Sequence, residues 1–133
     1  MSTRKLTPRT RADNTMTEAQ YHSHIKGALR KGTRFWKPKL LALEAAYVGK
    51  EKNVSTGRLA KHYECAMCNL HYPVKEVQVD HILPVIDPIV GFRSWDEVID
   101  RMFCDSNNLQ VLCKSCHKMK TAEEREAKKQ SKE

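Results

Sequence analysis

The sequence predicts an α+β fold, in which short strands and helices build one small core. Three observations support this. The chain has 133 residues, 40% of them hydrophobic, which suits a single modest core with tails. Segments with helical periodicity and segments with strand alternation occupy different parts of the chain. Two Cys-x-x-Cys pairs, separated by 44 residues, enclose most of the strand-like sequence.

The first element in chain order is a polar N-terminal arm, residues 1–16. It carries four basic side chains, Arg4, Lys5, Arg9 and Arg11, against a single acid. A polar, basic segment of this kind has too little apolar surface to pack. We therefore predict a disordered arm.

Residues 17–56 are predicted to form two helices and a linker. Thr17 suits the N-cap of the first helix, and Gly32 suits its end. The second helix would have Pro38 in its first turn and Gly49 just past its end. We expect both helices to pack on the domain that follows, with the linker completing the segment up to residue 56.

The middle of this helical segment is strongly basic. No acid interrupts its six cationic side chains, which are Lys26, Arg30, Lys31, Arg34, Lys37 and Lys39. The whole chain has a formal charge of +8 and a pI near 9.4. Such an excess favours a polyanionic partner through counterion release, and nucleic acid is the commonest one. We expect the six side chains to contact DNA phosphates, while Phe35 and Trp36 either pack on sugar and base or join the core.

Four of the five cysteines predict a structural metal site. Cys65, Cys68, Cys113 and Cys116 supply the four thiolates of a closed tetrahedral zinc centre. The N-terminus lacks the apolar region of a signal peptide, so a reducing, cytoplasmic location is expected. The alternatives are two redox dithiols, or a c-type haem at the Cys-x-x-Cys-His sequence, which would be attached outside the cytoplasm. Cys104 is expected to be an ordinary buried thiol.

Between the cysteine pairs, alternation from Val74 to Ile82 predicts a strand that Pro84 closes. Asp80 and His81 are adjacent near its end. Neighbouring side chains of a strand point to opposite faces. One of the two could therefore hold a metal while the other reaches a substrate. His71, close to the first cysteine pair, could contact a zinc-bound sulfur or approach the same site.

Two further helices are predicted after this strand. The first is a short helix packed on the strands. Its apolar residues recur at helical spacing and are Trp95, Val98, Ile99, Met102 and Phe103. Arg93 and Arg101 could instead bring this segment near phosphates. The second helix follows the second cysteine pair and has His117 in its first turn. It leads into a charged extension, residues 122–133.

The order of these motifs resembles the HNH endonucleases of the ββα-metal class, in particular the small zinc-bearing members found in bacteriophages. The resemblance covers residues 65–121. Its motifs in this chain are Asp80-His81 and then Asn108-Leu109-x-x-Leu112-Cys113-x-x-Cys116-His117-x-x-Lys120-Thr121. The segment from Val85 to Asn107 is longer than the tight loop of the smallest members.

The resemblance implies a ββα-metal core, a hairpin plus a helix, within residues 57–121 and stapled by the zinc site. Asp80 and His117 would bind a catalytic magnesium or manganese ion. His81 would be the general base that activates water for attack on a DNA phosphodiester. Asn108 would brace the loop that positions His81, with Asn107 as the second choice.

The resemblance also implies a setting and partners. Double-stranded DNA would be the substrate, the host cell cytoplasm the location, and phage packaging proteins such as a terminase possible partners. Homing-like mobility is an equally open role. The alternative function is a zinc-finger nucleic-acid-binding module without catalytic activity. The presence of all four motif residues favours the enzyme, because a binding module has no need of them.

Overall fold

A computed structural model describes residues 6–131, and Arg4 and Lys5 of the predicted arm lie outside that range. The described residues form four α-helices and seven short β-strands, which agrees with the predicted mixture of helix and strand. The chain divides into two compact units, Met1–Arg34 and Phe35–Glu133. The division falls earlier than the predicted boundary at residue 56, so the second helix belongs to the larger unit.

The first unit is a strand pair followed by a helix. Strands β1 (Arg9–Arg11) and β2 (Met16–Thr17) pair antiparallel. Helix α1 (Glu18–Gly32) has Thr17 as its N-cap and ends at Gly32, as predicted, and a capping box joins Thr17 to Gln20 at its start.

Part of the predicted disordered arm is thus ordered. A side-chain contact explains how such a polar segment is held. Arg11 lies 2.8 Å from the Glu18 carboxylate, and its guanidinium stacks 4.5 Å from the centre of the Tyr21 ring. The hairpin therefore rests on an ion pair and a cation–π contact with α1 rather than on apolar burial.

The second unit opens with helix α2 (Lys37–Ala45), which has Pro38 in its first turn. It ends before the predicted stop at Gly49, because the chain turns there into strand β3 (Tyr47–Lys52). Gly49 has φ of 110° and sits at a register shift of this strand, a conformation that favours glycine. The end of β3 thus replaces the start of the predicted linker, and strands β4 (Leu59–Glu64) and β5 (His71–Pro73) complete a three-stranded antiparallel sheet.

A second hairpin and a helix carry the motif residues. Strand β6 (Val77–His81) pairs antiparallel with β7 (Leu109–Cys113), with His81 opposite Leu109. Residues 74–76 form a short 3-10 turn instead of the predicted start of the strand. The long connection contains the expected helix, α3 (Trp95–Met102), and α4 (Lys114–Ser131) follows β7 directly. His117 lies in the first turn of α4, and that helix continues through the predicted boundary at residue 121.

The core of this unit surrounds the cysteines. Cys65, Leu112, Cys113 and Cys116 are buried together, and α2 packs against both strands of the β6–β7 hairpin. Val98 and Met102 of α3 are each only 2% exposed. No helix within residues 6–131 combines the length and the apolar character that crossing a bilayer requires.

Candidate active site

The four predicted zinc ligands converge. The sulfur atoms of Cys65, Cys68, Cys113 and Cys116 all lie within 4.8 Å of one another, and no disulfide joins them. Tetrahedral zinc–sulfur bonds of about 2.3 Å would place the sulfurs about 3.8 Å apart. The four sulfurs would therefore have to move only slightly closer together to hold the ion. A left-handed residue, Asn69 with φ of 59°, closes the first cysteine turn. Cys104 lies outside the cluster and is half-buried rather than fully buried.

The surroundings of the four thiols shift the pKa values of Cys65 and Cys116 in opposite directions. Burial opposes ionisation of Cys65, but backbone hydrogen bonds at Cys68 and Cys113 outweigh it and lower the pKa of that thiol to about 6. A hydrogen bond with Cys113, and then burial, raises the pKa of Cys116 to about 12. Thiolates this close repel one another, so a cation is needed before all four can be ionised together.

Tyr72 is the aromatic residue that approaches this cluster. Its hydroxyl lies 3.4 Å from the sulfur of Cys68, and its hydrogen bonds with Cys68 and Cys113 raise its pKa. His71, considered for this role from the sequence, instead bonds to Glu51 at 2.7 Å and faces Glu64 at 3.9 Å. In the sequence, the only sign of this contact is that Tyr72 follows the first cysteine pair by four positions.

A second convergence joins β6 to α4. The Oδ1 atom of Asp80 lies 3.7 Å from Nε2 of His117, and both side chains are largely shielded from solvent. The strand supplies the carboxylate and the first turn of the helix supplies the imidazole. Among residues 6–131, the cysteines are the only group of three or more histidine, cysteine or carboxylate side chains whose ligand atoms lie close enough together to hold one metal ion. The Asp80–His117 pair thus offers two protein ligand atoms.

Lys120, which belongs to the motif after the second cysteine pair but had no predicted role, lies in this site. Its ammonium lies 2.5 Å from Oδ2 of Asp80, donates to the backbone carbonyl of His81, and lies 3.3 Å from Glu124. Lys120 follows His117 by three positions on a helix, so both project from one face. This spacing in the sequence could have indicated that Lys120 lies beside His117.

The backbone of His81 is part of this cluster, but its ring makes a different contact. Nε2 of His81 lies 3.1 Å from the backbone carbonyl of Met102, at the end of α3. The imidazole and the Asp80 carboxylate therefore have different partners, as expected for neighbours on a strand. No side-chain pattern in the sequence could have indicated a backbone carbonyl as the partner of the ring.

Asn108 lies where β6 ends. Its side-chain oxygen accepts a hydrogen bond from the amide of Leu83 at 3.0 Å, and its backbone carbonyl accepts one from Ile82 at 2.8 Å. Both amides belong to the residues that directly follow His81. Asn107 is exposed.

The six basic residues predicted to contact DNA divide between the two units. Lys26, Arg30 and Lys31 lie on α1 and Arg34 just beyond it, whereas Lys37 and Lys39 lie on α2. Burial lowers the pKa of Lys39, because its ammonium is partly removed from water. Their contact with DNA stays a prediction.

Other side chains considered for DNA contact have partners within the protein. Arg93 and Arg101 both pair with Glu97, at 2.8 and 3.5 Å. The indole of Trp36 donates to the carbonyl of Cys104 at 2.7 Å and packs edge-on against Phe103. Trp36 therefore joins the core, the second of its two predicted roles, while Phe35 is 79% exposed.

Fold and site together define a mixed α/β protein with a four-cysteine cluster near an Asp–His pair. No protein-family model matches the chain, and no solved structure matches it. The chain is similar to a protein of Lactococcus phage SK1 described as "Probable HNH endonuclease", with 34% identity over 65 residues. The match covers 48% of this chain, which spans 60% of the length of that relative.

Proposed function

We propose that this protein is a metal-dependent DNA endonuclease of the HNH type, built on a ββα-metal core of the zinc-bearing phage kind. The observation that supports this best is the approach of Asp80 and His117, 3.7 Å apart, with His81 next in the strand. The similarity to the phage SK1 protein points to the same class. The substrate would be double-stranded DNA.

The cysteine cluster would hold the structural zinc. Four sulfurs close the coordination sphere, so this ion would have no open position for a substrate. Its contribution would be to folding, because a small core gains much of its stability from such a staple. A cytoplasmic setting, in a phage-infected host, would keep the four thiols reduced.

Asp80 and His117 would hold a second, harder cation. Two ligand atoms 3.7 Å apart fit one ion with bonds of about 2.1 Å, because two such bonds span up to about 4.2 Å. A carboxylate and an imidazole leave positions open for water and phosphate, and oxygen-rich coordination favours magnesium or manganese. When bound, such an ion supplies charge neutralisation at the phosphate and at the departing 3′ oxygen.

His81 would supply the base. A neutral imidazole takes a proton from water as the water oxygen forms its bond to phosphorus and the bond to the 3′ oxygen breaks. The departing oxygen takes its proton from solvent. Asn108 would keep the base in place, which is supported by its hydrogen bonds to Leu83 and Ile82.

DNA would be gripped by the basic residues of α1 and α2. Phosphate contacts of this kind position the protein without reading sequence. Packaging partners such as a terminase stay a prediction from the resemblance.

The direct test is cleavage of supercoiled plasmid DNA with magnesium or manganese. We expect His81→Ala to lower the cleavage rate by about 10² or more, the contribution of a positioned base, while DNA affinity persists. His71→Ala is the matched control, since that histidine is exposed and pairs with Glu51. Equal cleavage by wild type and His81→Ala would remove His81 from its proposed role.

One observation favours the alternative, a zinc-stabilised DNA-binding module without catalysis. Lys120 already neutralises Asp80, as a purely structural ion pair would. Wild-type protein that binds DNA but leaves the plasmid intact with every divalent cation tested would support this alternative over the nuclease.

A further inference from the structure

The four residues of the cysteine cluster differ in their access to solvent. Cys65, Cys113 and Cys116 are buried, whereas Cys68 is half-buried. Cys68 lies in the turn that connects β4 to β5. A small molecule in solvent can therefore reach Cys68 more easily than the other three.

A groove of about 310 Å³ opens beside the cluster. Its lining residues are Tyr72, Glu76, Cys113, Lys114 and Ser115. Cys113 is only 3% exposed although it lines the groove, so the groove gives little direct access to that sulfur. Tyr72 both borders the groove and contacts Cys68, which makes it the residue best placed to control attack on the cluster.

The ring of Tyr72 is held by the three-stranded sheet. Tyr72 of β5 lies opposite Tyr63 of β4, and Tyr63 lies opposite Tyr47 of β3. Side chains that face each other across neighbouring strands pack together, and the ring centres of Tyr47 and Tyr63 are 5.7 Å apart. The hydroxyl of Tyr72 thereby reaches the sulfur of Cys68 at 3.4 Å.

The direction of this hydrogen bond is fixed once a metal ion is bound. A metal-bound cysteine is a thiolate and has no hydrogen to donate, so the Tyr72 hydroxyl must be the donor. Hydrogen bonds to an ionised acceptor are the stronger kind. The thiolate is also the nucleophilic form of cysteine. A donated hydrogen bond engages its lone pair and lowers that reactivity.

We propose that Cys68 is a site of oxidative modification, the thiolate through which hydroperoxides attack the zinc centre, and that the Tyr72 hydroxyl slows this attack by donating a hydrogen bond to it. The inference rests on the zinc occupancy put forward under the proposed function and is independent of nuclease activity. It assigns the half-buried cysteine and the neighbouring tyrosine a role that the coordination of zinc alone does not require.

The electrons balance in two steps. The Cys68 thiolate attacks one peroxide oxygen, the sulfur–oxygen bond forms, the oxygen–oxygen bond breaks, and hydroxide or alkoxide leaves with the electron pair. The Cys65 thiolate, whose sulfur lies within 4.8 Å of that of Cys68, then displaces hydroxide from the sulfenic acid and forms a disulfide. Zinc loses two of its four ligands and leaves. Because structural zinc contributes directly to folding, its loss unfolds the core of the second unit.

The first test maps the site of attack in the full-length, zinc-loaded wild type. The protein is treated with hydrogen peroxide at neutral pH, with free zinc in excess and with dimedone present to trap sulfenic acids. Peptide mass spectrometry then locates the adducts. Among the four zinc ligands, we expect Cys68 to be modified first.

The second test removes the hydroxyl. We expect Tyr72→Phe to form the Cys68 adduct roughly tenfold faster, because the hydrogen bond to a charged sulfur is lost. Tyr47→Phe is the matched control, since it removes a hydroxyl from the other end of the same row of tyrosines. It should form the adduct at the wild-type rate.

A first adduct on Cys113 or on another of the buried ligands would overturn the inference, as would equal rates of Cys68 modification in Tyr72→Phe and Tyr47→Phe. Zinc content is measured before peroxide is added. A wild type that binds no zinc would refute the zinc centre itself, which is a separate result. The wild-type adduct map decides the site of attack even if Tyr72→Phe fails to fold.

Discussion

Lys120 shows how a single residue controls the charge of the candidate metal site. Its ammonium bonds to the carboxylate that would bind the cation and to the backbone of the residue that would serve as base. The side chain is only 18% exposed, so solvent screens this charge weakly. A divalent ion entering at Asp80 must displace the ammonium or share the carboxylate with it.

We therefore expect Lys120→Met to tighten binding of Mn²⁺, by roughly tenfold or more. Removal of a like charge a few ångströms from the ion is worth about 1–3 kcal/mol at intermediate dielectric, and about 1.4 kcal/mol corresponds to a tenfold change. Titration followed by the EPR signal of free Mn²⁺ measures it. Lys118→Met, an exposed lysine on the same helix, is the control. Unchanged or weaker Mn²⁺ binding by Lys120→Met would show that the ammonium does not compete.

Among the structural elements, the end of β6 determines where the base lies. The strand is extended through His81, and the next two amides donate hydrogen bonds to Asn108, the residue just before β7. The hairpin thereby fixes the turn after His81 from one side, while α3 fixes it from the other. Asn108 and Met102, which make these contacts, both lie more than twenty positions from His81 in the chain.

The side chain of Asn108 is the part of this support that substitution can remove. We expect Asn108→Ala to cost about 1 kcal/mol of stability, the usual value of one hydrogen bond, and to lower plasmid cleavage by about an order of magnitude with little change in DNA affinity. Asn108→Asp keeps the accepting oxygen and should retain more activity.

Asn107→Ala is the matched control for the neighbouring asparagine. Chemical denaturation and initial cleavage rates supply the two readouts. If Asn107→Ala proved the more damaging change, the two asparagines would have to exchange roles.

The elements that sequence could predict are those with a local signal. The cysteine spacing predicted the cluster, the cap at Thr17 predicted the start of α1, and the apolar spacing after Trp95 predicted α3. Strand β3 was missed because Gly49 is equally compatible with a helix end and with a strand bulge. The Met102–His81 contact was missed because a backbone carbonyl leaves no trace in the side-chain pattern.

At the scale of the whole molecule, the positive charge is concentrated in the first unit. Residues 1–34 hold eight basic and two acidic side chains, a net charge of +6 out of the total of +8. The unit with the four cysteines and the Asp–His pair is nearly neutral. The positive charge is thus concentrated in one unit, and the cysteine cluster and the Asp–His pair lie in the other.

Binding of DNA should reveal this separation through its salt dependence. We expect Arg30→Gln with Lys31→Gln to reduce the slope of log K against log salt by about 1.8, because each phosphate contact contributes about 0.9. The control is Lys128→Gln with Lys129→Gln, which makes the same change in net charge at the end of another helix. Fluorescence anisotropy with a labelled duplex measures the slopes. Equal slopes for the two double variants would show that only net charge matters.

We expect two cation sites of different chemistry in the second unit, the four sulfurs for zinc and the Asp80–His117 pair for a harder ion. Titration of Mn²⁺ into zinc-loaded wild type and Asp80→Asn, with zinc content followed in parallel, distinguishes the two sites. We expect one Mn²⁺ per wild-type chain with zinc retained, and at least roughly tenfold weaker Mn²⁺ binding by Asp80→Asn with the same zinc content. Mn²⁺ that displaced zinc, or bound equally well to both proteins, would contradict this expectation.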